Sequence, residues 1–111
     1  MGMTPEGKIQ AYATRQAKKA GFLVRRLQYI GRNGATDLLL VCGYDVTGFC
    51  EVKKDEFTDP EPHQIAEHNH LRAHGANVFV VGTRPEVDRM IKRLRFMVAV
   101  AKQNRMQGVL R

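Results

Sequence analysis

The fold of this 111-residue chain is decided between residues 31 and 54, GRNGATDLLLVCGYDVTGFCEVKK. A glycine-punctuated loop, 31 to 36, leads into the apolar run DLLLVC (37 to 42). The turn residues GYDVTG reverse the chain, and FCEVKK (49 to 54) returns as the partner strand of a hairpin. Side chains alternate along a strand, so Asp37, Leu39 and Val41 share one face, and Leu38, Leu40 and Cys42 share the other. On the returning strand Glu51 and Lys53 share a face, and Cys50 and Val52 share the opposite one. Asp37 stands at the open end of its strand and Glu51 and Lys53 near the open end of theirs, so a common register brings them together. Two hard carboxylate ligands hold Mg²⁺ or Mn²⁺, and a neighbouring ammonium orients or deprotonates a water nucleophile, which is the inventory for hydrolysing a phosphodiester.

Working outward, Thr4 as N-cap, Pro5 at the first helical position and Glu6 in the first turn predict a helix that ends at Gly21. Ile9, Ala13, Gln16 or Ala17, and Ala20 form its apolar stripe, and Glu6 continues that stripe toward whatever the helix packs on. FLVRRLQYI (22 to 30) reads as a strand. After the hairpin, DEFTDPEP (55 to 62) is a loop, and His63 to His74 a helix closed by Gly75 with a partial stripe of Ile65 or Ala66, Asn69, Leu71 and Ala73. NVFVVG (77 to 82) is apolar enough for a buried central or parallel strand. Thr83 and Pro85 open a last helix with Val87, Met90 or Ile91, Leu94, Met97 or Val98, and Ala101 at core spacing. The order α-β-β-β-α-β-α is a mixed α/β chain of one domain, with a core over about 4–84 and a C-terminal helix over about 85–105.

Charge is unevenly distributed. The net +7 divides into +6 over residues 1–34, −5 over 35–83 and +6 over 84–111. Basic ends attract a polyanion, whereas an acidic centre repels phosphate unless a cation is held between them. With 43% hydrophobic and 26% charged residues the chain is of ordinary globular composition. No run approaches the roughly 18 apolar residues of a membrane span, and the start MGMTPEGKIQ has no apolar segment of a secretory signal. Cys42 and Cys50 form neither a disulfide framework nor a zinc set, and are read as small core residues. A cytoplasmic location is expected.

The ordered series GRNGATD (31–37), CEVK (50–53), PHQ (62–64) and LRAHGANVFVVG (71–82) resembles the VRR-NUC family of the PD-(D/E)xK nuclease superfamily, in particular its stand-alone phage and bacterial members. The resemblance runs from about Glu6 to Val87. It implies a restriction-endonuclease-like core, α-β-β-β-α-β, the order already reached from the pattern, here with an additional C-terminal helix. It implies a Mg²⁺- or Mn²⁺-dependent deoxyribonuclease that leaves a 5′-phosphate and a 3′-hydroxyl. By position, Asp37 and Glu51 become metal ligands with the Val52 carbonyl, Lys53 the catalytic lysine, Gln64 a site-positioning residue, and Glu6 the acidic residue of the first helix, reaching the metal through water. For a phage member the location is the host cytoplasm. Thr36 stands where the motif name has proline, which would preset the backbone but supply no chemistry.

Arg32 and Asn33 in the glycine loop, with Lys54 and Lys8, are the candidate DNA contacts; without a G-K-[ST] ending that loop is not a nucleotide-binding one. Arg25 and Arg26 point to opposite faces, so at least one is exposed. His68-Asn69-His70 spells the name of an unrelated nuclease family whose letters stand far apart in sequence, so the triplet is a coincidence. His70 and His74, one helical turn apart, are read as solvated in preference to metal ligands, which sets aside a small zinc-binding regulator. The rival from another class is a non-catalytic nucleic-acid-binding subunit with a nuclease-like fold, and the intact Asp37, Glu51 and Lys53 set argues against it. Phe96 and Val100 fall outside the last helix's core stripe, beside Arg89, Lys92, Arg93 and Arg95. They suggest a homodimer selective for branched DNA such as a four-way (Holliday) junction, whose near-two-fold symmetry suits paired sites.

Overall fold

The computed structural model describes residues 3–107; Arg111 of the basic C-terminal block lies outside them. Helix α1 (Pro5–Lys19) starts where Thr4 Oγ1 accepts the Gly7 amide at 3.0 Å, and the chain leaves it through Gly21 at φ 84°. Strand β1 (Leu23–Arg26) is shorter than the nine-residue run predicted. Beyond Leu27, whose amide donates to the Asp37 carbonyl at 3.0 Å, the chain turns away through Gly31 and Gly34, both at positive φ. Gly34 passes so close to the next helix that an added Cβ would meet the His63 carbonyl oxygen at 2.9 Å. Residues 27–36 are therefore a loop docked on that helix, and Tyr29 is spent on it instead of on the sheet. Arg25 and Arg26 are both exposed.

Strands β2 (Leu38–Gly43) and β3 (Val46–Val52) form the expected hairpin, with Leu38 opposite Cys50 and Leu40 opposite Gly48. The strand predicted from Phe49 begins three residues earlier. Tyr44 (φ 52°) and Asp45 (φ 65°) alone make the turn, a pairing of two left-handed residues whose twist matches the hairpin, so Val46 and Thr47 are free to join the ladder. Helix α2 (Pro62–Ala73) then crosses over to β4 (Asn77–Val81), which pairs parallel with β3, Val52 opposite Val81. The sheet order is β1-β2-β3-β4. β4 is parallel, as its composition suggested, but it is an edge strand and half-buried over Asn77–Val80, not a central one.

Helix α3 (Arg84–Met106) buries Val87, Met90, Ile91 and Leu94, the predicted stripe, with Met97, Val98 and Ala101 at its margin. With α1 (Ala13, Ala17) it covers the sheet face that carries Leu38, Leu40, Cys50 and Val52. Gly48 admits this packing, since a Cβ there would stand 3.0 Å from Leu94 Cδ1. The alternation of the strand sends Glu51 and Lys53 to the other face, under α2. That helix does not bury the apolar stripe expected of it. Ile65 is 45% exposed and Ala66 and Asn69 are exposed, while Glu67 and His68 are buried. One face of the sheet is thus an apolar core, and the other, at the strand ends under α2, encloses polar groups.

Candidate active site

At the end of the sheet where β2 begins and β3 finishes, Asp37 enters the ladder immediately before Leu38, whose partner Cys50 precedes Glu51. The Asp37 amide donates to the Cys50 carbonyl at 3.0 Å, and its Oδ2 accepts the Val52 amide at 2.6 Å. Asp37 is half-buried and Glu51 is 2% exposed. The Lys53 amide donates to the Val81 carbonyl at 2.8 Å, which anchors the residue after β3 to β4. Parity along β3, its pairing with β2 and its parallel pairing with β4 together aim the three charged groups at one place.

Gln64, on the first turn of α2, completes it. Its Nε2 donates to Glu51 Oε2 at 3.0 Å, and its Oε1 accepts from Lys53 Nζ at 2.8 Å and from the Glu61 amide at 2.9 Å. Lys53 Nζ lies 3.6 Å from Glu51 Oε2. The amide therefore spaces a buried carboxylate from a buried ammonium, donating to one carboxylate oxygen and accepting from the ammonium. Burial, reinforced by the Asp37 carboxylate beside it and opposed by Lys53, raises the Glu51 carboxyl to about 7. A divalent cation between the two carboxylates would remove that repulsion.

The donor set fits such a cation. Glu51 Oε1 is buried and has no hydrogen-bond partner, so an acceptor is available where a cation needs one. Among the described residues no group of three or more His, Cys, Asp and Glu side chains forms a metal cage. Two carboxylates suit a hard cation that keeps several waters, as Mg²⁺ does.

Of the predicted site residues, Asp37, Glu51, Lys53 and Gln64 are brought together. Glu6 is not among them. It is exposed on the first turn of α1 and makes no hydrogen bond or ion pair among the described residues, because α1 buries its stripe only from Ala13 onward. Lys8, Asn33 and Lys54 are exposed. Arg32 is exposed and reaches Glu67 Oε1 at 3.4 Å. Cys42 and Cys50 pack in or against the apolar core, and burial raises both thiols, that of Cys42 to about 11, so neither is a reactive thiolate. His70 and His74 are exposed, with the His74 ring against the His70 carbonyl.

Sequence reasoning missed Tyr29, Glu67 and His68. The Tyr29 hydroxyl donates to the buried Glu67 Oε2 at 2.6 Å, and burial together with that carboxylate raises the phenol to about 12. His68 is 2% exposed, its Nε2 stands 3.7 Å from Glu51 Oε1, and burial, with Arg72 and Lys53, lowers its basicity. The available signal was helical spacing: Glu67 and His68 follow Gln64 by three and four residues, on the same face of α2.

No protein-family model matches the sequence, and no curated protein does. Among solved structures, the chain is similar to a VRR_NUC domain at 51% identity, over 81% of this chain and 97% of that one, with a TM-score of 0.79. The chain belongs to the VRR-NUC family. Its mixed α/β architecture is consistent with the restriction-endonuclease-like fold expected of the family. As a VRR-NUC domain it has a nuclease-like fold, with its polar cluster at the strand ends under α2.

Proposed function

We propose that this VRR-NUC domain is a Mg²⁺- or Mn²⁺-dependent DNA endonuclease that hydrolyses phosphodiester bonds, acting in the cytoplasm as a homodimer on branched DNA such as four-way junctions. The observation that carries this reading is the enclosed Asp37–Glu51–Lys53–Gln64 network with an acceptor oxygen left open. Asp37, Glu51 and the Val52 carbonyl would hold the cation. Once bound, the cation supplies Lewis-acid stabilisation of the phosphate and lowers the pKa of the attacking water. Lys53, fixed by Gln64, orients that water and takes part in its deprotonation. Arg32, Asn33, Lys54 and Lys8 are exposed cations and a donor suited to the DNA backbone, which positions the scissile phosphate without reading sequence. Cleavage leaves a 5′-phosphate and a 3′-hydroxyl.

Phe96 and Val100, 57% and 43% exposed, support the dimer: they form apolar surface on α3 beside Arg89, Lys92, Arg93 and Arg95, with the Arg93 guanidinium over the Phe96 ring at 5.8 Å. No described helix is long and apolar enough to cross a membrane.

Matched linear, flapped and four-way DNA, incubated with Mg²⁺, Mn²⁺ or EDTA, tests the activity, and light scattering tests the assembly. Cation-dependent nicking that favours the junction, by a dimer, is expected. Full activity in EDTA would sink the enzymatic assignment. Equal rates on linear and junction DNA, or a monomer at working concentration, would remove the branched-substrate and dimer parts only.

A further inference from the structure

Two atoms buried under α2 have no partner, and they face each other. His68 Nε2 and Glu51 Oε1 lie 3.7 Å apart, both side chains are 3% exposed, and neither atom makes a hydrogen bond. An unpaired buried polar atom is costly to a fold, so two together call for an explanation. His68 follows Gln64 by one helical turn. The two residues meet the two oxygens of one carboxylate, Gln64 at Oε2 and His68 at Oε1.

We propose that His68 is a positioning residue for Glu51, its Nε2–H donating to Glu51 Oε1 so that the carboxylate is gripped from both oxygens and presented in one orientation to the cation. The proposal rests on the reading of Glu51 as a metal ligand. Closing from 3.7 Å to an ordinary hydrogen bond of about 2.9 Å takes under about 1 Å, within reach of a side-chain rotation. A carboxylate has about four acceptor directions, so one donor on each oxygen leaves others free for a cation. A ligand held from outside in this way loses affinity, not chemistry, when the support is removed. The role belongs to the ring's far nitrogen. Glutamine can place an amide nitrogen near the Nε2 position, asparagine stops one bond short, and leucine fills the space with no donor.

The experiment measures Mn²⁺ affinity by calorimetry, without DNA, for the full chain and for His68→Gln, His68→Asn, His68→Leu and Glu51→Gln, with a thermal melt of each. We expect His68→Leu and His68→Asn to bind Mn²⁺ about 10-fold more weakly and His68→Gln to stay within about 3-fold of wild type, an order that melting temperature does not follow. Cleavage at saturating Mn²⁺ should largely recover in all three. Equal affinities for the glutamine and asparagine variants, or wild-type affinity in His68→Leu, would overturn the proposal. Should the leucine variant fail to fold, the glutamine and asparagine pair still decides. Glu51→Gln separates the two readings. If it binds Mn²⁺ as wild type does, the metal assignment of Glu51 falls and this proposal with it. If it loses binding while the His68 series stays flat, only the role of His68 is refuted.

Discussion

Replacing Glu51 by glutamine should abolish cleavage and yet make the metal-free protein more stable. The folded state raises this carboxyl from an ordinary 4.5 to about 7, through burial first and then the nearby Asp37 carboxylate. A group whose pKa rises on folding supports the fold while protonated, and that support is lost as pH climbs through the folded value. At about 1.4 kcal/mol per pH unit, carrying the ionised form above pH 7 costs the apo-protein on the order of 3 kcal/mol. Solvent reaching the half-buried Asp37 screens part of this, which leaves roughly 1–2 kcal/mol. Glutamine has nearly the same shape and no charge, so it removes that cost. For a domain of about 100 residues the gain corresponds to roughly 4–10 °C in melting temperature. Thermal unfolding followed by circular dichroism in EDTA should show it at pH 8 and show it shrinking to a few tenths of a kcal/mol by about pH 4.5, where the folded state carries the proton and the unfolded state is half protonated. Millimolar Mg²⁺ should then raise the wild type and not the variant, narrowing or reversing the gap. No gain at pH 8 would refute the electrostatic argument. An equal gain at both pH values would assign the effect to packing.

Three further substitutions test other parts of the structure. Lys53→Ala should lower cleavage by at least about 100-fold while DNA affinity at fixed salt, measured by fluorescence anisotropy, changes little, because exposed cations elsewhere carry most of the counterion release. Gly82→Ala should destabilise by about 3 kcal/mol or displace the loop after Lys53, since a Cβ there would fall 2.0 Å from the Asp55 carbonyl oxygen; urea unfolding reads the first outcome and loss of cleavage the second. Thr36→Val should stabilise by about 1 kcal/mol in the same urea assay, because the Thr36 hydroxyl is buried without a partner and valine keeps the shape.

The order of elements, the caps at Thr4 and Thr83, the core stripe of α3 and the shared face of Glu51 and Lys53 were all legible in the amino-acid pattern. Each follows from short-range rules: a capping oxygen within three residues of the amide it accepts, a period of 3.6 or of 2, a glycine where φ turns positive. Gln64 was legible only through the family resemblance, since nothing local distinguishes it from any polar residue near a helix start. Tertiary structure decided the rest. β1 stops at Arg26 because the loop after it is drawn onto α2, a contact between residues more than thirty apart that no local pattern encodes. α2 buries Glu67 and His68 in place of its apolar side chains because the face beneath it is already charged. Tyr29 and Arg32 partner Glu67, and the Glu51 carboxylate faces His68. A hydrophobic stripe signals burial against oil, and here burial is against polar groups, which compensate one another only after the helix has docked. Glu6 shows the converse: its spacing continues the apolar stripe of α1, but that stripe packs on the core from Ile9 and is fully buried only from Ala13, at a point fixed by where α1 meets α3 and β1 and not by its own sequence.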